Sequence, residues 1–440
     1  MPMTAHPSTL RAGFGRADYK TLGLAALGGA LEIYDFIIFV FFALVLSELF
    51  FPPHMPEWLR LVQSFGIFVA GYLARPLGGI LLAHFADRLG RKRVFSLSIL
   101  MMAVPCLLMG LMPTYAQIGY WAPMLLLALR ILQGAAVGGE VPSAWVFIAE
   151  HAPASHRGFA LGMLQAGLTF GYLLGALTAA WMAWVYTPEQ ILDHGWRVPF
   201  ILGGVFGLVG VWLRRWLSET PVFVAMQERR ATEVELPIRT VIREHRKAIP
   251  AALLLTCLLT SAVVVLVVIT PTVMQKRFGL PPEQTFTLSS LGIVCLNIGC
   301  VLAGIMADRF GAWRALLIHS ALLPVGVLAL YSCLILGIPF VGWAYALAGL
   351  CCGVVAVVPS IMVRLFPAHI RVSGISVTYN IAYALWATAT PVLLIALMHW
   401  NAWSIVAFSA VVGGGGCYCA KAFGRADVAA AVASDTAAGQ

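Results

Sequence analysis

The feature that most constrains this chain is a succession of long apolar runs, each separated from the next by a polar segment. The 440 residues contain twelve such runs, and a helix of about 20 mostly apolar residues spans the hydrocarbon core of a bilayer. Hydrophobic residues make up 60% of the chain and charged residues only 11%, compared with roughly 45–50% and about 25% in soluble domains. The pattern predicts an all-α polytopic membrane protein. It argues against a soluble enzyme, a nucleic-acid-binding protein and a disordered chain.

The twelve runs form two sets of six around one long charged segment, which predicts two six-helix bundles joined by a linker. We expect the spans at residues 22–49, 61–85, 94–112, 123–149, 159–185, 199–216, 249–274, 286–307, 315–336, 340–365, 375–398 and 402–420. The predicted organisation is a cytoplasmic N-terminal arm (1–21), an N-terminal bundle (22–216), a cytoplasmic linker (217–248), a C-terminal bundle (249–420) and a cytoplasmic tail (421–440).

Basic residues set the expected orientation of the chain. If both termini are cytoplasmic, 22 of the 28 Lys and Arg residues fall on cytoplasmic segments and four on outer loops, as the positive-inside rule requires. The N-terminal segment has no short apolar core followed by a small-residue cleavage site. We therefore expect no removable signal peptide.

The two halves repeat a short charged motif, which indicates an internal duplication typical of two-bundle transporters. Asp87-Arg88-Leu89-Gly90 follows the second run and Asp308-Arg309-Phe310-Gly311 follows the eighth. We predict a cytoplasmic gate in which Asp87 stabilises closure near the start of the eleventh span; the alternative is that the loop is only a positive-inside topology signal. The predicted gating residues are Asp87, Arg88, Gly90, Arg91, Asp308, Arg309 and Arg371.

Ionisable residues inside the spans are costly and usually face a cavity or one another. Glu32 and Asp35 lie three residues apart and share a helix face, so repulsion between two carboxylates in a water-poor cavity is expected to keep one of them protonated near neutral pH. The predicted proton-coupling residues are Asp35, Glu140 and Glu32. The alternative is a structural ion pair in which Arg75 or Arg130 neutralises a carboxylate.

The second half has no acid or base deep in any span, and its polar side chains are neutral hydrogen-bonding groups. Tyr379 and Asn380 lie early in the eleventh span, where they reach either a central site or an ordinary interhelical hydrogen bond. No cysteine pair or Cys/His cluster has metal-ligand spacing. We expect no cofactor, and the proton is the predicted coupling ion.

Arginine in the membrane bears on the charge of the substrate. A guanidinium binds a carboxylate through two parallel hydrogen bonds, which a lysine cannot reproduce, so we favour a carboxylate-bearing metabolite and a di- or tricarboxylate in particular. The alternative is a solute with a quaternary ammonium, whose cation would lie against aromatic rings such as Trp145. The predicted substrate-binding residues are Arg75, Arg130, Tyr34, Tyr379, Asn380 and Trp386.

Several motifs together resemble the major facilitator superfamily, and within it the metabolite:proton symporters. The resemblance implies alternating access of two six-helix bundles around a midplane site, driven by co-transported protons, in the inner membrane of a bacterium. It also implies a small organic solute as the substrate, for which we favour a di- or tricarboxylate over the alternative of proline or betaine, and, as we expect, a monomer as the functional unit. The motifs are Asp87-Arg88-Leu89-Gly90-Arg91-Lys92, Leu31-Glu32-Ile33-Tyr34-Asp35-Phe36, Arg75-Pro76-Leu77-Gly78-Gly79, Arg130-Ile131-Leu132-Gln133-Gly134, Gly138-Gly139-Glu140, Gly195-Trp196-Arg197-Val198-Pro199-Phe200 and Glu219-Thr220-Pro221.

Other functions are weighed against symport. A drug:proton exporter of the same fold would carry a Gly-Pro pair in the fifth span, where this chain has Gly171-Tyr172-Leu173-Leu174-Gly175. An enzyme or an ATP-driven pump is not expected, because the chain has no phosphate-binding loop and no recognisable pairing of nucleophile and base. A nutrient sensor that binds the solute without transporting it remains a further alternative.

Overall fold

A computed structural model describes residues 15–89, 91–214, 243, 246, 248–367 and 370–438 of the chain. In this described part every regular element is a helix and no strand occurs. The predicted linker 217–248 lies almost entirely outside the described residues, as does Gly90. The side chains of Asp87, Arg88 and Arg91 also lie outside the described part of the structure.

Helices occupy each of the twelve positions that the apolar runs predict, and several of them are interrupted. Helical turns of three to five residues lie at Tyr115–Ile118, Ala154–His156, Pro188–Gln190 and Ile191–Gly195, and a π-helical segment lies at Val264–Ile269. The main helices are α1a (Arg16–Phe41), α1b (Ala43–Leu49), α2 (Glu57–Leu89), α3 (Arg91–Leu111), α4a (Trp121–Val137), α4b (Glu140–His151), α5 (Arg157–Val185), α6 (Arg197–Arg214), α7a (Ala248–Val263), α7b (Thr270–Lys276), α8 (Pro282–Phe310), α9 (Ala312–Leu336), α10a (Val341–Cys351), α10b (Val354–Leu365), α11 (Arg371–Trp400) and α12 (Ser404–Ala438).

The length and hydropathy of these helices fit a membrane protein. Among the described residues, nine helices are long and apolar enough to span a bilayer, and a tenth is added if the pair Pro188–Gly195 and Arg197–Trp212, bent by 50°, counts as one span. The helices α2 and α3, at the second and third predicted positions, are 33 and 21 residues long. The all-helical membrane architecture is confirmed, and the total of twelve spans stays a prediction.

Small residues allow the helices to approach closely, as in other membrane bundles. A Cβ on Gly134 would lie only 1.9 Å from the Gly71 carbonyl oxygen, where α4a crosses α2. Between the two halves, a Cβ on Gly304 of α8 would lie 2.5 Å from the Gly158 carbonyl oxygen of α5. The two halves pack mainly through α5 against α8 and through α2 against α11. The candidate site lies at the second of these contacts.

The fourth and tenth helices break at matching places in the two halves. Gly138 and Gly139 separate α4a from α4b, and Cys352 and Gly353 separate α10a from α10b. A Cβ on Gly138 would lie 2.1 Å from the Arg75 carbonyl oxygen, so the α2 backbone also passes close to α4 at this break.

Candidate functional site

Arg75 of α2 lies at the contact between the two halves, inside a cage of tyrosine rings. Its guanidinium carbon is 4.5 Å from the ring centroid of Tyr383, 5.5 Å from that of Tyr379 and 5.8 Å from that of Tyr72. The arginine is only 3% exposed, and its Nε atom is buried without a hydrogen-bond partner among the described residues. We call Tyr72, Tyr379 and Tyr383 the tyrosine cage.

Helical periodicity explains how the tyrosine cage forms. Tyr72 precedes Arg75 by three residues on α2, and Tyr379 and Tyr383 are four residues apart on α11, so each pair shares one helix face. The Tyr383 ring lies 5.4 Å from the Tyr72 ring and 5.2 Å from the Tyr379 ring, measured between centroids. One face of α2 and one face of α11, which belong to different halves, therefore surround the Arg75 guanidinium.

A second layer of side chains fixes the cage in place. The Trp145 ring packs edge-on against Tyr379 with centroids 5.0 Å apart, and its Nε1 donates a hydrogen bond to Gln165 Oε1 at 3.2 Å. Trp145 is fully buried. Through this contact α4b and α5 of the first half hold a tyrosine that belongs to the second half.

The cage gives Arg75 a defined chemical capacity. Tyrosine rings attract a guanidinium through cation–π contacts without neutralising its charge, and phenolic hydroxyls both donate and accept hydrogen bonds. A guanidinium in such a low-dielectric setting binds a carboxylate more strongly than in water, because charge-assisted pairs gain when water is excluded. The site is suited to a small solute that carries a carboxylate and further polar groups.

Arg130, the second predicted substrate arginine, is fully buried within the first half of the protein. Its Nη1 donates to Gln133 Oε1 and its Nη2 to the Phe36 carbonyl oxygen, each at 2.8 Å. The guanidinium carbon also lies 3.9 Å from the Phe36 ring centroid and 4.9 Å from that of Phe68. These contacts hold α1, α2 and α4 together. Phe36 and Phe68 also pack against Tyr72, a member of the tyrosine cage.

Asp35, a predicted proton-coupling residue, is 1% exposed and lies between α1, α3 and α6. Its Oδ1 lies 2.6 Å from the point that a Cβ on Gly203 would occupy, and Cys106 Sγ lies 2.6 Å from the same point. Neither carboxylate oxygen accepts an N–H or O–H hydrogen bond from a described residue, and the Cys106 thiol is the polar group beside the carboxylate. Only glycine at position 203 leaves room for this carboxylate.

Tyr34, next to Asp35, is also fixed inside the first half. It is fully buried, and its hydroxyl donates to the Pro199 carbonyl oxygen of α6 at 3.0 Å. The structure therefore brings Tyr34 together with α6 and does not place it among the cage residues that touch Arg75. Its role in substrate binding stays a prediction.

The two predicted glutamates lie in different helices. Glu32 of α1a is 7% exposed and Glu140 is 4% exposed. Glu140 is the first residue of α4b, directly after the Gly138–Gly139 break. Glu140 thus follows Gly138, whose carbonyl oxygen lies at the contact of α4 with α2 and α11, by two residues and precedes Trp145 by five.

Asn380 and Trp386, both on α11, make defined hydrogen bonds. Asn380 Nδ2 donates to the Gly138 carbonyl oxygen in α4, across the contact between the halves. Trp386 Nε1 donates to Ser261 Oγ of α7a at 2.5 Å. Of the six predicted substrate-binding residues, the structure brings Arg75 and Tyr379 into contact, with Asn380 next to Tyr379 in the chain.

Contacts between the halves also occur at both ends of the bundle. On the face where α1 begins, the Asp308 carboxylate accepts hydrogen bonds from the backbone nitrogens of Gly158 and Phe159, at 2.6 and 2.7 Å. Arg371 Nη1 pairs with Glu150 Oε1 at 3.0 Å on the same face. Arg309, the neighbour of Asp308, is exposed.

The opposite face carries one cross-half ion pair among the described residues. Lys276 Nζ, at the end of α7b, lies 2.5 Å from Glu57 Oε1 at the start of α2. The hydrogen bond from Lys276 and its charge lower the pKa of the Glu57 carboxyl. Both side chains are largely exposed, so the pair contributes little to stability by itself.

Sequence reasoning missed Tyr72, Tyr383 and Gln165. The spacing of Tyr72 to Arg75 and of Tyr379 to Tyr383 contained a usable signal, because each pair falls on one helix face. Gln165 had no such signal, since its partner Trp145 lies on a different helix.

The chain was compared with known proteins. Residues 25–391 match the family model described as Major Facilitator Superfamily. The chain is 33% identical over 411 residues to the shikimate transporter of Escherichia coli K12, covering 90% of this chain and 92% of that protein. It is 31% identical over 389 residues to the proline/betaine transporter of the same organism, covering 85% of this chain and 76% of that protein.

A third relative and a solved structure agree with these matches. The inner membrane metabolite transport protein YhjE of E. coli K12 is 30% identical over 380 residues, covering 84% of this chain and 86% of that protein. The structure of the proton:xylose symporter XylE bound to 6-bromo-6-deoxy-D-glucose superposes with a TM-score of 0.73 at 18% sequence identity, covering 92% of this chain and 94% of XylE. At that identity the likeness supports the fold alone.

Proposed function

Because the chain belongs to the major facilitator superfamily, and is a secondary transporter of small solutes and not an enzyme, we propose that it is a symporter that imports a carboxylate-bearing metabolite together with protons. The observation that carries this proposal is Arg75, a buried guanidinium ringed by tyrosines at the contact between the two halves. A site at this contact becomes accessible from each side in turn when two bundles rock against each other.

Anion binding follows from the state of Arg75. Its Nε atom is buried without a described hydrogen-bond partner, and a buried polar group of this kind costs free energy until a ligand satisfies it. A carboxylate supplies the missing acceptor and neutralises the guanidinium. The tyrosine hydroxyls, with Gln165 behind them, then select a solute that offers further hydroxyl or carboxylate oxygens.

Proton coupling is assigned to Asp35 and Glu140, with Glu32 as the third candidate. The Asp35 carboxylate is buried beside the Cys106 thiol and accepts no N–H or O–H hydrogen bond from a described residue, and burying a carboxylate costs far less when it is neutral. Binding of a proton to Asp35 changes the charge between α1, α3 and α6. This arrangement supports a step in which protonation favours one arrangement of the bundles.

Alternating access is assigned to the contacts at the two ends of the bundle. Asp308 and the pair of Arg371 with Glu150 close one face, and Glu57 with Lys276 closes the other. By the positive-inside rule the first face is cytoplasmic, with both termini on that side of a bacterial inner membrane. Asp87, Arg88, Gly90, Arg91 and Arg309 remain predicted members of the cytoplasmic gate.

An osmolyte such as betaine or proline is the second candidate substrate. The tyrosine cage favours it to some degree, because aromatic rings also bind a quaternary ammonium, and the relatives include proline/betaine transporters. Arg75 already occupies the cage as a cation, however, and a second cation there would be repelled. This repulsion is the reason that we place carboxylates without a cationic group first.

The proposal is tested by a thermal-shift screen of the purified protein with shikimate, citrate, 2-oxoglutarate, proline and betaine. We expect one or more of the acids to raise the melting temperature of the wild type but not of Arg75→Lys, since lysine lacks the two-pronged donor geometry. Arg60→Lys makes the same chemical change near the start of α2 and serves as the matched control.

Each outcome of the screen decides between the candidates. If betaine or proline stabilises the wild type and none of the acids does, the carboxylate assignment is wrong, and the proposal that the substrate is an osmolyte replaces it. If an acid stabilises Arg75→Lys as much as the wild type, Arg75 is not the anchor.

A further inference from the structure

The backbone of α4 is interrupted next to a predicted proton-coupling residue. The helix α4a ends at Val137 and α4b begins at Glu140, and carbonyl groups beside a helix end lack part of their intrahelical partners. The Gly139 carbonyl oxygen accepts a hydrogen bond from Ser143 Oγ at 2.7 Å. The Gly138 carbonyl oxygen accepts one from Asn380 Nδ2, which belongs to the other half of the protein.

Asn380 lies where three helices meet. A Cβ on Gly79 of α2 would lie 3.4 Å from Asn380 Nδ2 and 3.3 Å from the Gly138 carbonyl oxygen. A Cβ on Gly138 would itself lie 2.1 Å from the Arg75 carbonyl oxygen. The amide of Asn380 therefore touches the turn of α2 that begins with Arg75 and the break in α4 that leads into Glu140.

The amide of Asn380 is fully engaged as a donor. The residue is 1% exposed, and Nδ2 also donates to the Ser376 carbonyl oxygen at 2.9 Å. Its Oδ1 is buried without a hydrogen-bond partner among the described residues. The Asn380 side chain therefore bonds to the other half through Nδ2, while Oδ1 makes no comparable contact. The bond from Nδ2 to the Gly138 carbonyl oxygen must break whenever the two halves separate at this point.

We propose that Asn380 is a positioning residue, which docks α11 on the α4 break and thereby sets the tyrosine cage against Arg75 and links closure of the site to Glu140. This inference rests on the proposed function. Tyr379 precedes Asn380 and Tyr383 follows it by less than one turn, so the position of Asn380 fixes the height at which both rings meet Arg75. Asn380 acts through Gly138 and the cage, and does not itself bind the solute.

The chemistry of the bond allows a test that a purely structural role would not pass. Asn380→Ala removes the donor at every pH. Asn380→Asp places a carboxylate against the Gly138 carbonyl oxygen, and this side chain donates a hydrogen bond only when it is protonated. Because position 380 is only 1% exposed, burial favours the neutral acid over the carboxylate, and we expect the neutral acid at pH 5 and the carboxylate at pH 8. Of the described charged and titratable groups on α2, α4 and α11, those nearest in sequence to Asn380 and the glycines that it contacts are Arg75, Glu140, Tyr379 and Tyr383.

The experiment is hydrogen–deuterium exchange with mass spectrometry on the full-length protein in detergent, without added solute, at pH 5 and pH 8, with rates corrected for intrinsic exchange. In Asn380→Ala we expect exchange in residues 371–385 and 134–143 to rise about fivefold at both pH values, the change that loss of one buried hydrogen bond supports. In Asn380→Asp we expect that rise at pH 8 and wild-type protection at pH 5. Asn401→Asp, at the exposed end of the same helix, is the matched control.

The link to Glu140 is tested in the same way by a double-mutant cycle. Glu140→Gln should change exchange in residues 371–385 in the wild-type background and have little effect when Asn380 is already alanine, because coupled residues are non-additive. Additive effects would contradict the link. Wild-type protection in Asn380→Ala, or identical behaviour of the alanine and aspartate variants at both pH values, would overturn the positioning role.

The recovery of the aspartate variant at pH 5 also shows that the variant is folded. Since no solute is needed, failure of solute uptake would contradict the proposed function and leave this result standing.

Discussion

The contact of Asp308 with the start of α5 gives a prediction whose size follows from the geometry. One carboxylate of α8 accepts two backbone hydrogen bonds, from Gly158 at 2.6 Å and Phe159 at 2.7 Å. The first amide groups of a helix have no intrahelical acceptor and carry the positive end of the helix dipole. The contact joins the two halves, so it stabilises only the arrangement in which this face is closed.

Asp308→Asn keeps the shape of the side chain but removes its charge and one of its two acceptor oxygens. Hydrogen bonds to charged groups contribute about 1.5–3 kcal/mol and the helix-end charge about 0.3–1 kcal/mol. Because an asparagine oxygen retains one of the bonds, we expect a loss of about 2 kcal/mol from the closed arrangement. This corresponds to an increase of about thirtyfold in the ratio of open to closed molecules.

Cys300 is a native reporter of that opening. It is fully buried on α8, and its carbonyl oxygen lies 2.8 Å from the point that a Cβ on Gly162 of α5 would occupy. We expect maleimide to modify Cys300 about thirty times faster in Asp308→Asn than in the wild type, as measured by peptide mass spectrometry. Asp193→Asn removes a carboxylate that is 84% exposed in its side chain and should leave the rate unchanged.

An unchanged modification rate in Asp308→Asn would refute the reasoning, since the carboxylate would then contribute nothing to closure of this face. A similar rise in Asp193→Asn would also refute it, because the effect would then come from net charge and not from the contact with α5.

Two other sites give predictions of the same kind. A Cβ at position 203 would lie 2.6 Å from both Asp35 Oδ1 and Cys106 Sγ, so Gly203→Ala should destabilise the purified protein by about 1–3 kcal/mol, as overpacking does. In a thermal-denaturation assay the control Gly139→Ala, with open space around its Cβ, should melt like the wild type, and equal melting of the two variants would contradict the packing. Lys276 lowers the pKa of Glu57, so the stabilising effect of this pair is present above the ordinary glutamate pKa and is lost as the pH falls through the lowered value. Because both side chains are largely exposed, the effect is small: acidification should loosen this face slightly in the wild type but not in Glu57→Gln, as measured by the rate of cross-linking between cysteines placed on the two helix ends, and an equal response of the two proteins would contradict the role of the pair.

Much of the fold follows from the sequence because a bilayer imposes simple constraints. The structure has a helix at each of the twelve positions that the apolar runs predicted, since each run must satisfy its own backbone hydrogen bonds in lipid. The interruptions were not predicted. The break between Val137 and Glu140 depends on Gly138 meeting the α2 backbone, which is a contact between helices and leaves no periodic mark in the sequence.

The candidate site was predictable only in part. Arg75 stood out because an arginine inside a span is costly, and Tyr379 was identified with it. Helical spacing shows which residues share a face but not which helix that face meets. For this reason the spacing of Glu32 and Asp35 did not indicate that the Asp35 carboxylate lies beside Gly203 and Cys106. Nor did it indicate that Arg130 is held by Gln133 and the Phe36 carbonyl.

The most direct test of the central claim is uptake of the solute identified in the screen into proteoliposomes that contain only this protein. With an inward proton gradient of about one pH unit and no membrane potential, a one-to-one symporter supports up to about tenfold accumulation. We predict uphill uptake in the wild type that a protonophore abolishes, and none in Asp35→Asn or Glu140→Gln. Accumulation that is the same with and without the proton gradient, or that persists in both variants, would contradict proton-coupled symport through these carboxylates.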